Sequence, residues 1–124
     1  MNTKGILFSF KGRINRAKFW GYLIIVELIF MFIMSGDLYL FNLTDSATIK
    51  DFLEILVLLV FALSIWIHLS LYVKRLHDLD KSGWWALLTF IPVINFFVLL
   101  YLGIKKGTEG PNKFGEDPLN NLNF

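Results

Sequence analysis

His77, Asp78 and Asp80 are the most obvious candidates for chemistry, since an imidazole and two carboxylates occur within four residues. Such side chains ligate metals, but adjacent His and Asp on one short loop rarely converge on one ion, and no second cluster supplies the further ligands that zinc needs. A structural use is simpler, with Asp80 or Ser82 capping a following helix and Asp78 pairing with Arg75. We therefore predict no metal, no cofactor and no catalytic residue. A membrane enzyme that acts on lipid headgroups through His77 and Asp78 is the third alternative for function.

Three polar residues, Glu27, His68 and Asn95, interrupt long apolar runs. Ionisable groups inside membrane spans are costly and usually face a partner or a water-filled cavity. Counted along helices, Glu27 lies about 13 Å and His68 about 9 Å from the same membrane face, so the two side chains can meet. Hydrogen bonding between helices is the simplest use of the set. The alternative function is a small oligomeric transporter or proton-linked channel that uses Glu27 and His68.

Basic residues cluster beside the apolar runs, and residues 1–18 contain five of them and no acidic residue. Each cation near an anionic membrane surface contributes about 1 kcal/mol of attraction. We predict a basic face that contacts lipid or a protein partner and consists of Arg13, Arg16, Lys74, Arg75, His77 and Lys81. The expected partners are membrane lipids, and a second copy or another membrane protein is possible in principle. Nucleic acid is not expected, because membrane contact explains basic and aromatic residues next to a span.

The composition identifies the solvent of the elements that position these residues. Hydrophobic residues make up 56% of the 124 residues, 18% are charged, the mean hydropathy is +0.59, and cysteine is absent. A soluble domain of this size cannot hide so much apolar surface from water. Residues 19–40, 52–73 and 84–104 form apolar runs of about 20 residues, the length that crosses a hydrocarbon core of about 30 Å. The sequence therefore predicts a single membrane domain, 1–124, with a basic segment 1–18, two spans at 19–40 and 52–73, a cytoplasmic loop 74–83, a third apolar run and a Gly/Pro-rich tail 105–124.

Topology follows from the lysines and arginines near the span ends, which favour the cytoplasm. They predict a cytoplasmic N-terminus and a cytoplasmic 74–83 loop. The third run leaves two possibilities, a span kinked at Pro92 or a re-entrant hairpin that returns the tail to the cytoplasm. In the hairpin, the tail packs on the loop with Phe114 as an apolar plug. Interfacial tryptophans are expected at the headgroup level: Trp20, Trp84 and Trp85.

Three patches of sequence resemble a family of small bacterial inner-membrane proteins, domain-of-unknown-function family 805. The first patch is Phe8-x-Phe10-x-Gly12-Arg13-Ile14-Asn15-Arg16 followed by Phe19-Trp20. The second is Arg75-Leu76-His77-Asp78 with Lys81-Ser82-Gly83-Trp84-Trp85, and the third is Gly107-Thr108 with Gly110-Pro111-Asn112-Lys113-Phe114-Gly115 and Asp117-Pro118. The resemblance implies a location in the bacterial inner membrane and a topology class, and it implies no activity.

We thus expect an all-α integral membrane protein, a small helical bundle with two transmembrane helices plus a third Pro-kinked span or re-entrant helical hairpin. We expect it to be non-enzymatic and to act through lipid or protein contacts at a basic cytoplasmic face.

Overall fold

The computed structural model describes residues 3–120; the first two residues of the basic segment and the last four of the tail lie outside this range. The described part is helical: α1 spans Thr3–Phe8, α2 Arg16–Leu43, α3 Ala47–Asp78 and α4 Pro92–Ile104, and a 3₁₀ helix spans Gly83–Phe90. The fold is all-α.

The two long helices, α2 and α3, are antiparallel and supply the membrane-spanning part. They have 28 and 32 residues and apolar windows of mean hydropathy 2.1 and 2.4. At 1.5 Å per residue they are roughly 42 and 48 Å long, more than the hydrocarbon core needs. Large apolar side chains along them face outward, as with Phe32 at 79% exposed and Leu58 at 67%. Lipid is the solvent that such a surface requires.

Asn15 caps the start of α2. Asn15 has an extended backbone, and its side-chain oxygen accepts a hydrogen bond from the Lys18 amide at 2.9 Å. This bond satisfies one of the backbone donors that a helix leaves free at its first turn.

The predicted 74–83 loop is shorter than expected, because α3 continues through Asp78. Lys74 and Arg75 remain helical, since their side chains turn inward and find partners there. The chain reverses over residues 79–82, where Asp80 adopts a positive φ of 56°. A short turn then leads directly into the 3₁₀ helix at Gly83.

Residues 84–104 form a hairpin rather than a kinked span. Gly83 begins the 3₁₀ helix so close to α3 that a Cβ there would lie 2.8 Å from Val73 Cγ1. The end of α4 returns to the same level, where the Leu102 carbonyl accepts from Arg75 Nε at 2.8 Å. Both arms therefore start and finish at one end of the α2–α3 pair. The turn between them begins at Ile91, whose extended backbone precedes Pro92 at the first position of α4.

The buried core sits at that same end, which we call the packed end and define as residues 3–20, 70–86 and 102–120. Its apolar centre joins α1, α2, α3 and the hairpin through buried residues: Ile6, Ile14, Phe19, Leu71, Leu76, Ala86 and Leu102. All three sequence patches contribute to the packed end, and most of the remaining helix surface faces lipid.

Candidate functional site

Asp78 is the centre of the packed end. One carboxylate oxygen, Oδ1, accepts from Arg13 Nε at 3.1 Å, and the other, Oδ2, accepts from Arg75 Nη1. Asp78 is 2% exposed and Arg75 is fully buried. The predicted pairing of Asp78 with Arg75 is present, and Asp78 bridges a second arginine that the sequence did not assign to it.

The two arginines also use most of their other donors to fix the tail. Arg13 donates to the backbone carbonyls of Gly110 at 2.8 Å and Thr108 at 2.7 Å. The Arg75 guanidinium donates to the carbonyls of Leu102 and Lys105 at the end of α4. Guanidinium groups have five donors in a rigid fork, so one side chain can hold several carbonyls of a turn.

Lys74 anchors the N-terminal segment. Its ammonium donates to the Ile6 carbonyl at 2.5 Å and to Ser70 Oγ at 2.7 Å, while Ser70 donates to the Ser9 carbonyl at 2.7 Å. Lys74 is fully buried. Its charge therefore stabilises the contact between α1 and α3 and does not reach a membrane surface.

His77 is held on both sides of its ring. Its Nδ1 lies 3.2 Å from the Gly12 carbonyl, which can only accept, so this nitrogen carries a proton and donates. The ring stacks on Phe114 with centroids 3.9 Å apart and an angle of 7°. The expectation that Phe114 plugs the turn is therefore confirmed. Asn112 adds a bond from its amide to the His77 carbonyl at 2.9 Å.

The predicted basic face needs a correction. Arg13, Lys74 and Arg75 are buried, because each is surrounded by carbonyl or carboxylate oxygens of the packed end, and they cannot contact lipid headgroups. His77 is half-buried, whereas Arg16 and Lys81 are exposed as expected. Sequence reasoning missed other exposed cations of the packed end: Lys4, Lys11, Lys18, Lys105, Lys106 and Lys113.

Asp117 organises the tail that covers this end. Its two oxygens accept from the amides of Gly110 and Leu119, both at 2.9 Å. These backbone donors hold the pKa of the Asp117 carboxyl below its usual range. A turn of about ten residues is thus fixed by one carboxylate, a role that the Asp117-Pro118 pattern alone did not reveal.

The spans bring Glu27 and His68 together. His68 Nε2 lies 2.9 Å from Glu27 Oε1, and His68 Nδ1 lies 2.6 Å from the Ser64 carbonyl. Since that carbonyl only accepts, Nδ1 donates, and one further proton must lie between Nε2 and the carboxylate for the two to be in contact. The pair therefore holds a proton, as imidazolium and carboxylate or as imidazole and carboxylic acid.

Asn95 joins this pair in a cavity of about 410 Å³. The cavity lies between α2, α3 and the tip of the hairpin, and Asn95 Oδ1 is buried without a hydrogen-bond partner among residues 3–120. The lining combines aromatic, aliphatic and polar side chains: Glu27, Phe30, Phe61, Ser64, Ile65, His68, Leu69, Tyr72, Thr89, Phe90 and Asn95. The three intramembrane polar residues predicted from sequence thus share one space.

The tryptophans of the packed end are of two kinds, one packed against the hairpin and two exposed at its start. Trp20 donates its indole N–H to the Gly103 carbonyl at 3.1 Å and packs against that glycine. Trp84 and Trp85 are 79% and 56% exposed at the start of the hairpin, as side chains of an interfacial belt are. Trp66 packs edge-on against Phe10 with ring centroids 4.9 Å apart.

A second cavity, the hairpin groove, opens between the arms of the hairpin. It has a volume of about 370 Å³ and is lined almost entirely by apolar atoms. Lys81 is the only charged residue that lines it, beside Leu76, Trp85, Leu88, Phe97, Val98 and Tyr101. An apolar space with one cation suits an amphiphile whose polar group is negative.

Metal chemistry finds no geometric support in residues 3–120, where no three His, Cys, Asp or Glu side chains converge. His77 and Asp78 are occupied by the contacts described above.

Known proteins are similar in sequence to this chain over most of its length. A family model described as "Protein of unknown function (DUF805)" matches residues 7–116. The Inner membrane protein YhaI of Escherichia coli strain K12 is 37% identical over 110 residues, which cover 89% of this chain and 86% of the relative. YhaH, another inner membrane protein of the same strain, is 35% identical over 89% of this chain and 87% of its own, and the uncharacterised protein YiiR is 34% identical over 94% and 90%. No solved structure gives a significant match.

Proposed function

Since the chain belongs to the DUF805 family, which includes inner membrane proteins, we propose that it is a multi-pass inner membrane protein that binds anionic phospholipids on a basic cytoplasmic face. The protein has no enzymatic activity in this proposal. It acts by holding lipid at the packed end.

The distribution of charge supports a cytoplasmic location for the packed end and for the N-terminus. Every lysine and arginine of the chain except Lys50 belongs to this end. The opposite end has Asp37, Asp45, Asp51 and Glu54. Cytoplasmic segments near spans carry an excess of lysine and arginine, so this asymmetry favours the packed end inside the cell.

Several exposed cations at the packed end are available to anions. Lys106 pairs with Glu109, and Lys113 lies 3.8 Å from Asp80. Lys18, Lys81 and their exposed neighbours Lys4, Lys11 and Lys105 form no ion pair within the described range. Each contributes about 1 kcal/mol of attraction when it lies near an anionic membrane surface.

The hairpin groove is the observation that carries the proposal. Its apolar walls suit an acyl chain, and Lys81 at its edge suits a phosphate. Trp85 borders the same space, and tryptophan prefers the level of the headgroups. One anionic phospholipid satisfies both the apolar walls and the cation, whereas a soluble anion leaves the walls exposed.

The experiment compares lipids that differ in charge. We expect dioleoylphosphatidylglycerol to raise the melting temperature of the detergent-purified protein more than dioleoylphosphatidylcholine does. Lys81→Gln should remove most of that difference, because the phosphate loses its cation. Lys50→Gln is the matched control, since the same change at the opposite end leaves the groove intact.

Two results contradict the proposal. The first is equal stabilisation of the wild-type protein by both lipids, and the second is a Lys81→Gln variant that retains the full preference for the anionic lipid. Lipid-independent dimers that form through the hairpin groove would identify a second copy of the chain as its occupant.

A further inference from the structure

We propose that the cavity at Glu27, His68 and Asn95 binds lipophilic organic cations, which replace the proton shared by Glu27 and His68. The inference is independent of lipid binding at the packed end. The alternative function, proton-linked transport, depends on Glu27 and His68, and the proposal names a ligand for that site. The proposal concerns binding alone, which is measurable without transport.

The charges around the cavity favour a cation. Glu27 on α2 is the only acidic residue that lines it, and His68 on α3 is the only residue there that can be positively charged. Ser64 and Tyr72 on α3 and Thr89 and Asn95 on the hairpin complete the polar lining and are neutral. With the shared proton the cavity is neutral, and without it the cavity has one negative charge.

Three polar atoms of the lining can accept a further contact. Asn95 Oδ1 is buried without a partner in the described range, and Glu27 uses only Oε1 in its contact with His68. Thr89 has already donated its hydroxyl proton to the Ala86 carbonyl at 2.6 Å, so its oxygen also accepts. A buried acceptor without a donor costs free energy, and a cationic ligand removes that cost.

Aromatic rings supply the rest of the surface. Phe30 on α2, Phe61 and Tyr72 on α3, and Phe90 on the hairpin all line the cavity. Aromatic faces attract cations, and the attraction is stronger where water is excluded. A volume of about 410 Å³ lies within the usual range for small-molecule sites. The Glu27 side chain is 52% exposed on the lipid-facing surface, so a ligand that dissolves in the membrane can reach it.

Exchange conserves charge and atoms. The proton between His68 Nε2 and Glu27 Oε1 leaves for water, and the cation takes its place beside the carboxylate. His68 keeps its Nδ1 proton on the Ser64 carbonyl and stays neutral. One positive charge leaves and one enters. Apparent affinity should therefore rise with pH, because each bound cation releases a proton.

The test uses two probes of the same shape and opposite charge. We expect tetraphenylphosphonium to bind saturably to the full-length protein in nanodiscs of phosphatidylcholine, and tetraphenylborate not to do so. Binding should release up to one proton per cation, measured with an indicator dye in weak buffer. Neutral nanodiscs keep lipid charge out of the comparison.

Variants connect the binding to the cavity. Glu27→Gln keeps the size of the side chain and should abolish saturable binding together with its pH dependence. Glu54→Gln makes the same change near the other end of α3, outside the cavity, and should bind as the wild type does. Asn95→Leu should weaken binding and leave proton release per bound cation unchanged.

Three results overturn the proposal: a wild-type protein that does not bind tetraphenylphosphonium, a Glu27→Gln variant that binds it equally, and binding that does not change with pH. If Glu27→Gln lowers the melting temperature in detergent, its loss of binding could reflect unfolding, and the Asn95→Leu variant then tests the site. Undiminished binding of tetraphenylphosphonium by Asn95→Leu would also exclude this cavity. None of these outcomes bears on the lipid preference of the packed end, so the two proposals fail separately.

Discussion

At the scale of single residues, Asp78 has the most consequential position. It forms ion pairs with both Arg13 and Arg75, which come from different parts of the chain. Gly107 lets the tail backbone approach Asp78 where a Cβ would collide with the carboxylate. The sequence predicted that Asp78 pairs with Arg75, because a carboxylate and a guanidinium so close together can form a bidentate ion pair. It did not predict that Lys74 and Arg75 are buried, because cations that follow an apolar run normally extend to the headgroups. Most of their partners are backbone carbonyls that no local pattern identifies, those of Ile6, Ile14, Leu102 and Lys105.

Asp78→Asn should destabilise the protein strongly. The substitution keeps the shape of the side chain but leaves two buried guanidinium groups without their counter-charge, and breaking a buried ion pair costs about 3–5 kcal/mol. Denaturant unfolding in mild detergent, followed by tryptophan fluorescence, measures the change in free energy of unfolding.

Asp80→Asn is the matched control for that measurement. Asp80 is exposed and lies 3.8 Å from Lys113, so its pair contributes at most about 1 kcal/mol. Asparagine also tolerates the positive φ of 56° at this position. Similar losses in the two variants would mean that the buried network contributes no more than a surface pair.

At the scale of elements, the tail illustrates where sequence reasoning stops. Its glycines and prolines predicted consecutive turns, and its apolar residue Phe114 was expected to plug the Arg75–Trp85 region if the chain folded back. The turn residues fix local geometry only. The tail's position depends on backbone carbonyls that accept from Arg13, which lies about 100 residues earlier in the chain. Asp117 fixes the turn itself through the nearby Gly110 amide, and the sequence did not assign it that role.

The tail turn should loosen in acid. The folded pKa of Asp117 is lowered by the amides of Leu119 and Gly110, so its contribution to stability is complete above the unfolded value of about 3.9 and is lost as the pH falls through the folded value. NMR titration of the Gly110 and Leu119 amides should show both shifts moving together below that pH. Asp117→Asn should abolish the titration, whereas Glu116→Gln, one exposed residue away, should leave it unchanged. Amide shifts that still titrate in Asp117→Asn would assign the transition to another group.

At the scale of the whole molecule, the hairpin decides how the three sequence patches relate. Length did not distinguish the two topologies, since a 3₁₀ helix of eight residues and a helix of thirteen would together reach about 36 Å if they were collinear, enough to cross the bilayer. The hydropathy of the two arms favoured neither topology, because both arms are mostly apolar. The two arms instead pack on α2 and α3 as far as the level of Glu27 and Ser64, about 16 Å below Arg75 by helical rise. Non-helical backbone at such a depth is tolerated when it is covered by protein or lines a cavity, as the turn at Ile91 and Pro92 does beside Asn95.

A cysteine-labelling experiment tests this arrangement. Because the sequence has no native cysteine, only the introduced cysteine can react. Lys11→Cys and Lys106→Cys should react with a membrane-impermeant maleimide from the same side, because the N-terminal segment and the end of α4 meet at the packed end. Lys50→Cys should react only from the opposite side, since it lies at the start of α3. With right-side-out and inverted vesicles, the positive-inside distribution predicts reaction of Lys11→Cys and Lys106→Cys in inverted vesicles alone. If Lys106→Cys reacted together with Lys50→Cys, residues 84–104 would cross the membrane, and the tail could not cover Asp78, Arg13 and His77. One measurement therefore tests both the buried ion-pair network and the hairpin topology, because Arg75 can donate to the Leu102 carbonyl only if both residues lie on the same side of the membrane.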